Sequence, residues 1–326
     1  MNESVLVTGG CGYIGGLLVR RLVATGTRVA VVDNHTGPVR ACAGFLGEKH
    51  PARDLRGGDL RSVVGDCGVI VHLASASGVE RVAKDPAMAA GTNVVATEDL
   101  CWTARELGVP LIFASSFAVV GRLEGATATE TTEARPISLY ARQKALGEGI
   151  VRRALGNGGP GGAIVRMTNV YGRYRLADDR PSRDGLPVRT VTKGTLVDKF
   201  HDLAVSNLNL PIYGTGEQVR NYLHIGDAVE SWVAAVRIVA RRERSLAVPT
   251  YLLAGPDDLS VRSVAREVLS ATGSESELFN TGNPRTGEVD EESLSIDNSA
   301  TLAALGVRPG TTVRSYLRGL GGRASV

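Results

Sequence analysis

The sequence predicts an α/β protein: a doubly wound parallel sheet with helices on both faces, and a smaller α/β cap drawn from the C-terminal half. Two observations carry this. The first is the stretch Val5–Gly15, VLVTGGCGYIG, where a short apolar run with β-branched ends precedes closely spaced glycines and then an amphipathic run, Leu17–Ala24. Strand, glycine turn and helix in that order form a pyrophosphate cradle. The glycines let the backbone turn tightly and let phosphates approach it, and the helix start offers N–H groups and a positive dipole end. The second is the alternation of short apolar strand-like runs with helical stretches, which a parallel sheet with crossover helices requires.

Arg28–Val32 (RVAVV) is the second expected strand and ends at Asp33-Asn34. Asp33 lies 18 residues after Gly15, the spacing of an acid that takes the hydroxyls of an adenosine ribose. A carboxylate there repels a 2′-phosphate and favours NAD over NADP, although nearby Arg40 leaves the second open. Asp59-Leu60 follows a weakly patterned connection. Val69–Leu73 is the next strand, opening into the small residues Ala74-Ser75-Ala76-Ser77-Gly78, which suit close approach by a ligand. A helix over Pro86–Leu107, a strand over Val109–Phe113 running into Ala114-Ser115-Ser116, a helix over Leu139–Leu155 and a strand over Ala163–Arg166 continue the series.

The pattern changes after Tyr171. Residues 173–195 are polar and arginine-rich, with Pro181 and Pro187, and read as an irregular segment or lid. Helices are expected over Leu196–Val205, Ile225–Val239, Val261–Thr272 and Ala300–Leu305, with short strands at Pro211–Tyr213 and Tyr251–Ala254. Residues 1–170 are assigned to a Rossmann-type dinucleotide-binding domain to which 212–240 returns, and 171–211 and 241–326 to the cap.

Composition excludes other classes. The 326 residues are 43% apolar and 22% charged with net charge +3, which gives no argument for nucleic acid. Met1 leads directly into the first strand, and no apolar run approaches the roughly 20 residues of a membrane span, so a cytoplasmic protein is expected. Cys11, Cys42, Cys67 and Cys101 form no Cys-x-x-Cys pair and read as reduced thiols, and the five histidines lack metal-ligand spacing, so no metal is expected.

Tyr140 and Lys144, in Tyr140-Ala141-Arg142-Gln143-Lys144, share one face of their helix. A cation beside a phenol favours phenolate and makes the tyrosine a usable base. The pair lies downstream of the strand that ends in Ser115-Ser116, where a hydroxyl can position a substrate alcohol.

In this order the residues resemble the extended short-chain dehydrogenases/reductases, specifically the NAD-dependent nucleotide-sugar epimerase/dehydratase family with its UDP-glucose 4-epimerase-like members. TGGCGYIGG at 8–16, Asp33, Asp59-Leu60, HLASASGVE at 72–80, Asn93-Val94, ASSFAVVG at 114–121, Tyr140 with Lys144, RMTNVYG at 166–172, IYGTGEQVRNYLHIGDA at 212–228 and RTGEV at 285–289 carry it. The resemblance implies that Gly9, Gly12, Tyr13, Ile14 and Gly15 hold the NAD pyrophosphate. Asp33 and Asn34 would meet the adenosine ribose, and Asp59 and Leu60 would flank adenine, with Leu73, Ala74, Ser75 and Asn93 completing the cofactor site. It implies Tyr140 as general base and acid, Lys144 on the nicotinamide ribose and lowering the tyrosine pKa, and Ser116 on the reacting hydroxyl with Ser115 as the fallback. Asn169, Arg220 and Arg285 would contact the diphosphate of a nucleotide-sugar substrate, and Glu288 its ribose. Homodimerisation through Pro86–Leu107 and Leu139–Leu155 is also implied.

Phe117-Ala118 stands where family dehydratases carry an Asp-Glu pair, Val120 where a tyrosine is usual, and Asn221 where an aspartate is usual. Ala118 cannot move a proton. The sequence therefore predicts an epimerase acting at carbon 4 through a 4-keto sugar, with a 4-ketoreductase, a decarboxylase or dehydratase, and a silent NAD-binding scaffold as alternatives. The glycine loop reads as Gly10-x-Gly12-x-x-Gly15 or Gly9-x-x-Gly12-x-x-Gly15, and Tyr140 with Lys144 favours the second.

Overall fold

A computed structural model describes residues 4–37, 53–175, 190–191, 194–241, 248–282 and 294–321. The first half runs β1 (Val5–Thr8), α1 (Tyr13–Ala24), β2 (Val29–Val32), α2 (Leu60–Val64), β3 (Val69–His72), α3 (Val79–Lys84), α4 (Pro86–Ala90), α5 (Ala96–Leu107), β4 (Leu111–Ser116), α6 (Leu139–Leu155) and β5 (Gly162–Met167). The second runs β6 (Asn169–Tyr171), β7 (Tyr174–Arg175), β8 (Thr190–Val191), α7 (Leu196–Val205), β9 (Leu210–Ile212), β10 (Val219–His224), α8 (Ile225–Ala240), β11 (Thr250–Leu253), β12 (Asp257–Ser260), α9 (Val261–Thr272), β13 (Leu278–Asn280), α10 (Ser299–Leu305) and α11 (Val313–Gly321).

Six parallel strands form the central sheet in the order β11-β5-β4-β3-β1-β2. Strands β1 and β3 are buried along their whole length, as expected of a sheet covered on both faces. Leu18 and Leu22 of α1 pack with Trp232 and Val236 of α8 on one face. On the other, Leu100 and Ala104 of α5 pack with Val151 and Leu155 of α6. The chain leaves β1 for β2 on one side and returns to β3 on the other, so a crevice opens at the carboxyl ends of β1 and β3.

The cap holds a three-stranded sheet, β12-β10-β6, and the parallel pair β13-β9. Its core joins Val197 and Phe200 of α7, Ile212, Val264 and Val268 of α9, and Leu317 of α11. Strand β11 falls within residues 241–326, which the sequence places in the cap, yet it pairs with β5 in the central sheet. Within 212–240, α8 does pack on the central sheet, whereas β10 joins the cap sheet. A short apolar run marks a strand but not the sheet it enters.

The stretch expected as one helix over Pro86–Leu107 is interrupted by a π-helical turn at Gly91–Val95. This wider turn carries Asn93 and points it into the crevice-side loop, as such turns often do at functional sites. Cys67 and Cys101 are buried free thiols, pushed up to about 11 and about 12 by burial. Cys11 is disulfide-bonded, a correction to the expectation of four thiols, because folding rather than sequence spacing brings sulfurs together. Among the described residues no helix is long and apolar enough to cross a membrane, and no cluster of three potential metal ligands occurs.

Candidate active site

The glycine loop joins β1 to α1. Gly9 has φ +69, and a Cβ on it would lie 2.6 Å from Ala74 N, at the end of β3. A Cβ on Gly15 would fall 2.2 Å from Gly9 O. These two close approaches require glycine at positions 9 and 15. Gly12 is the N-cap of α1, and no side chain caps that helix. A bare helix start behind a glycine cradle fits a dinucleotide pyrophosphate.

Asp33 stands at the tip of β2 and accepts from Cys11 N at 2.9 Å and from His35 N at 2.8 Å, which places its carboxylate against the glycine loop. Asn34 donates to Asp54 Oδ2 at 3.1 Å and accepts from Thr36 N. Asp59 is the N-cap of α2, accepting from Arg61 N and Ser62 N, and Leu60 is buried behind it. Leu73 and Ala74 lie where β3 meets Thr8, the Leu73 N–H donating to Thr8 O at 3.0 Å.

Asn93 is 2% exposed. Its Oδ1 accepts from Ser75 Oγ at 2.9 Å and Ala76 N at 2.8 Å, and its Nδ2 donates to Ala76 O at 3.0 Å and Gln143 Oε1 at 2.8 Å. With these four bonds the side chain holds the loop after β3 in shape, and Ser75 is turned toward Asn93. Beneath them His72 is buried between Thr8 and Thr97. The Thr97 hydroxyl donates to Asn93 O at 2.9 Å, so its oxygen accepts from His72 Nε2–H at 3.0 Å, and His72 Nδ1 accepts from Thr8 Oγ1 at 2.7 Å. Burial, with the Lys144 charge adding to it, pushes the imidazole down to about 3 and keeps it neutral.

Ser138 caps α6, its Oγ accepting from Ala141 N at 3.2 Å, and so fixes the helix that carries Tyr140 and Lys144. The Ser116 hydroxyl and the Tyr140 phenol face the same cleft. Lys144 is buried and donates through Nζ to Ala114 O at 2.8 Å, over the Phe113 ring. The sequence leads one to expect that Lys144 lowers the Tyr140 pKa. Instead the phenol is held above its ordinary value by burial, with the neighbouring Ser116 hydroxyl working in the other direction.

Ser115 and Ser116 face opposite sides of β4. Ser115 donates to Glu148 Oε1 at 2.6 Å and is 3% exposed. Glu148 also receives Arg166 through Nε and Nη2, both at 2.8 Å, and Arg152 at 3.2 Å. Burial raises the Glu148 carboxyl, but the Arg166 fork outweighs it and the net displacement is downward. The hydroxyl of Ser115 is therefore committed to the core, and Ser116 is the one that faces the cleft with Tyr140. Motif reading does not find Glu148, and although Arg166 opens the motif at 166–172, the resemblance assigns it no role.

A cleft of about 440 Å³ runs from Ser116 and Tyr140 into the cap. Ile14, Phe117, Ala118, Asn169, Tyr213 and Arg220 are among its lining residues. Asn169 donates to Asn221 O at 3.2 Å, and Arg220 Nη1 donates to Val219 O at 2.8 Å. Asn221, where an aspartate is usual, accepts from Thr168 Oγ1 at 2.7 Å and donates to Asp258 Oδ1 at 2.8 Å, a bond an aspartate there cannot make. Val120 is buried with Leu123 and Ala128 in a small cluster under Phe117. Arg285 and Glu288 lie outside the described residues, as do Arg40 and most of the 173–195 segment.

A glycine cradle at a helix start, an acid at the tip of β2, and Ser116 and Tyr140 lining a cleft with Lys144 buried one turn on define a dinucleotide-dependent enzyme of hydroxyl–carbonyl chemistry. Residues 5–247 match the NAD dependent epimerase/dehydratase family, and the chain belongs to that family of NAD-dependent nucleotide-sugar epimerases, dehydratases and decarboxylases. It is 29% identical over 287 residues to a dTDP-glucose 4,6-dehydratase of Streptomyces griseus, covering 84% of this chain and 80% of that protein. It is 27% identical to a putative UDP-glucose 4-epimerase of Methanocaldococcus jannaschii, covering 71% of this chain and 73% of that one. The structure superposes on a UDP-glucose 4-epimerase of Thermus thermophilus in complex with NAD with a TM-score of 0.77 at 25% identity, covering 99% and 100% of the two chains. NAD is the cofactor of this family, and the glycine loop here fits it.

Proposed function

We propose that the protein is an NAD-dependent epimerase that inverts carbon 4 of a nucleotide-diphosphate sugar. The observation that carries this is the chemistry of the cleft wall. Its described lining residues include Ser116 and Tyr140 but no Asp, Glu, His or Cys side chain, and Ala118 stands at the position of the dehydratase acids. Elimination of water needs a second proton carrier beside the sugar; inversion through a ketone needs only one acid–base group.

On this reading Tyr140, as phenolate, takes the proton of the sugar 4-hydroxyl, and Ser116 hydrogen-bonds the same oxygen. Bound NAD would supply the hydride acceptor and donor that oxidation and re-reduction at carbon 4 require. Tyr140 holds the proton at Oη in the interval and returns it to the oxygen. Lys144, fixed on Ala114 O, is assigned to the nicotinamide ribose. Gly9, Gly12 and Gly15 give the pyrophosphate room to approach the loop, Tyr13 and Ile14 at the helix start meet it through their backbone, and Asp33 takes the adenosine ribose. Asn169 and Arg220 are assigned to the substrate diphosphate, where a guanidinium fork matches phosphate geometry, and Arg285 and Glu288 keep the roles that the sequence resemblance implies.

A homodimer goes with this reading. Val95, Trp102, Leu139 and Leu146 stand exposed on the Pro86–Leu107 and Leu139–Leu155 stretches, Val95 at 55% and Leu146 at 57%. Such apolar side chains suit helix-to-helix association. The test of function is NMR of the anomeric protons when NAD-loaded protein is given UDP-glucose, UDP-galactose and their dTDP counterparts. Interconversion of a 4-epimer pair is expected; absence of conversion in every pair overturns the reading.

A further inference from the structure

Tyr13 belongs to two sites at once. It opens α1 directly after Gly12, where its backbone is assigned to the NAD pyrophosphate. Its side chain leaves the glycine loop for the cap: Oη donates to Gly172 O at 2.5 Å. Tyr174 Oη donates back to Tyr13 O at 2.7 Å, and the two rings lie 6.1 Å apart. Gly172 has φ +107, and a Cβ there would lie 2.9 Å from the His224 ring, so the glycine is needed for the carbonyl to face Tyr13.

The contacts continue beyond Gly172. Its N–H donates to Asp198 Oδ2 at 3.3 Å. Asp198, 0% exposed, also receives Thr195 Oγ1 at 2.8 Å and, on Oδ1, Tyr316 Oη at 2.8 Å. Asn169 and Tyr171, just before Gly172, and Thr195 are all among the residues that line the cleft. One run of hydrogen bonds thus joins the first turn of α1, through Gly172 and Asp198, to Thr195 in the cleft lining. Burial, with the Asp198 carboxylate adding to it, holds the Tyr13 phenol well above its ordinary value, so it stays a donor.

We infer that Tyr13 is a positioning residue that couples cofactor binding at the glycine loop to the order of the substrate cap. A rigid aromatic side chain transmits the position of the helix start to Gly172, and Asp198 passes it to α7. NAD occupancy then prepares the cleft walls before the nucleotide sugar arrives. This rests on the NAD site and not on which sugar reaction follows.

Amide hydrogen exchange of the full chain, stripped of nucleotide and then loaded with NAD, tests the coupling without any sugar. In the native protein NAD is expected to slow exchange in α7 about five-fold, and in Tyr13→Phe less than about two-fold, the scale of one hydrogen bond. Phenylalanine keeps the buried ring, and retained protection of β1 and β3 identifies a folded variant. Tyr174→Phe removes only the return bond and is expected to weaken the effect independently. Equal protection of α7 by NAD in native and Tyr13→Phe proteins, or no protection of α7 in the native one, overturns the inference.

Discussion

Ser115 donates to Glu148 at 2.6 Å, while the next residue, Ser116, faces the cleft that Tyr140 also lines. Two neighbouring hydroxyls on β4 are thereby given to different tasks, one to the core and one to the cleft. Ser116→Ala is expected to lower kcat about 10²-fold with little change in stability, the scale of one lost hydrogen-bond donor at a reacting oxygen. Ser115→Ala is expected to lower the unfolding midpoint and leave kcat within about three-fold, because it removes one buried hydrogen bond away from the reacting atoms. Steady-state kinetics and urea unfolding of both variants separate the two roles.

Glu148 and Arg166 form a two-pronged ion pair at 1% and 3% side-chain exposure. Glu148→Gln leaves the guanidinium buried without its counter-charge, and about 3–5 kcal/mol of stability is expected to be lost. Urea unfolding at pH 7.5 measures it; a loss under about 1 kcal/mol, the range of an exposed pair, would mean that Arg166 finds water instead.

Tyr140→Phe is expected to lower kcat by about 10²–10⁴-fold while NAD binding persists, the range for loss of a general acid–base group. Because burial holds the phenol above its ordinary value, kcat/KM is expected to rise with pH across the neutral range as phenolate forms. Rate profiles with native and variant protein, together with NAD titration by fluorescence, check both. A binding scaffold would show no turnover to lose.

His72 gives a pH dependence of stability. Its pKa is lowered from 6.5 to about 3, so between those values the unfolded chain binds a proton that the folded chain does not. Stability from this group is complete above pH 6.5 and falls on acidification, by about 1.4 kcal/mol per pH unit, until pH nears 3. Urea midpoints at pH 7.5 and 5 are expected to differ by less in His72→Gln than in the native protein. Equal slopes would show that the imidazole takes up its proton without unfolding.

Leu146→Glu is expected to convert a dimer into monomers, since it replaces an apolar side chain 57% exposed on α6 with a charge. Sedimentation equilibrium reads the mass directly, and a monomeric native protein removes the dimer from the account.

Much of this was legible in the chain. The strand–glycine–helix order at Val5–Gly15 fixed the crevice, because only glycine at positions 9 and 15 admits the close approaches found there. Tyr140 and Lys144 were visible from their spacing, and Ser116 from its place at a strand end. The direction of the Tyr140 shift was not, because desolvation depends on what folds around the phenol. Ser115, Glu148 and Arg166 meet across 33 and 18 residues, and no local pattern announces such a pair. Asn93 carried the family motif, but its four hydrogen bonds to Ser75, Ala76 and Gln143 exist only once the π-helical turn has formed. The membership of β11 in the central sheet was hidden for a similar reason: Tyr251-Leu252-Leu253 suits any buried strand.

Isotope transfer tests the central claim most directly. A UDP- or dTDP-hexose carrying deuterium at carbon 4 is turned over by NAD-loaded protein in ordinary water, and the unlabelled sugar is turned over in D2O. The account predicts a 4-epimer that keeps its carbon-4 deuterium, no solvent label at carbon 4 or carbon 5, and no net consumption of NAD. Solvent deuterium at carbon 5, loss of water or CO2, or stoichiometric use of a reduced cofactor would contradict it.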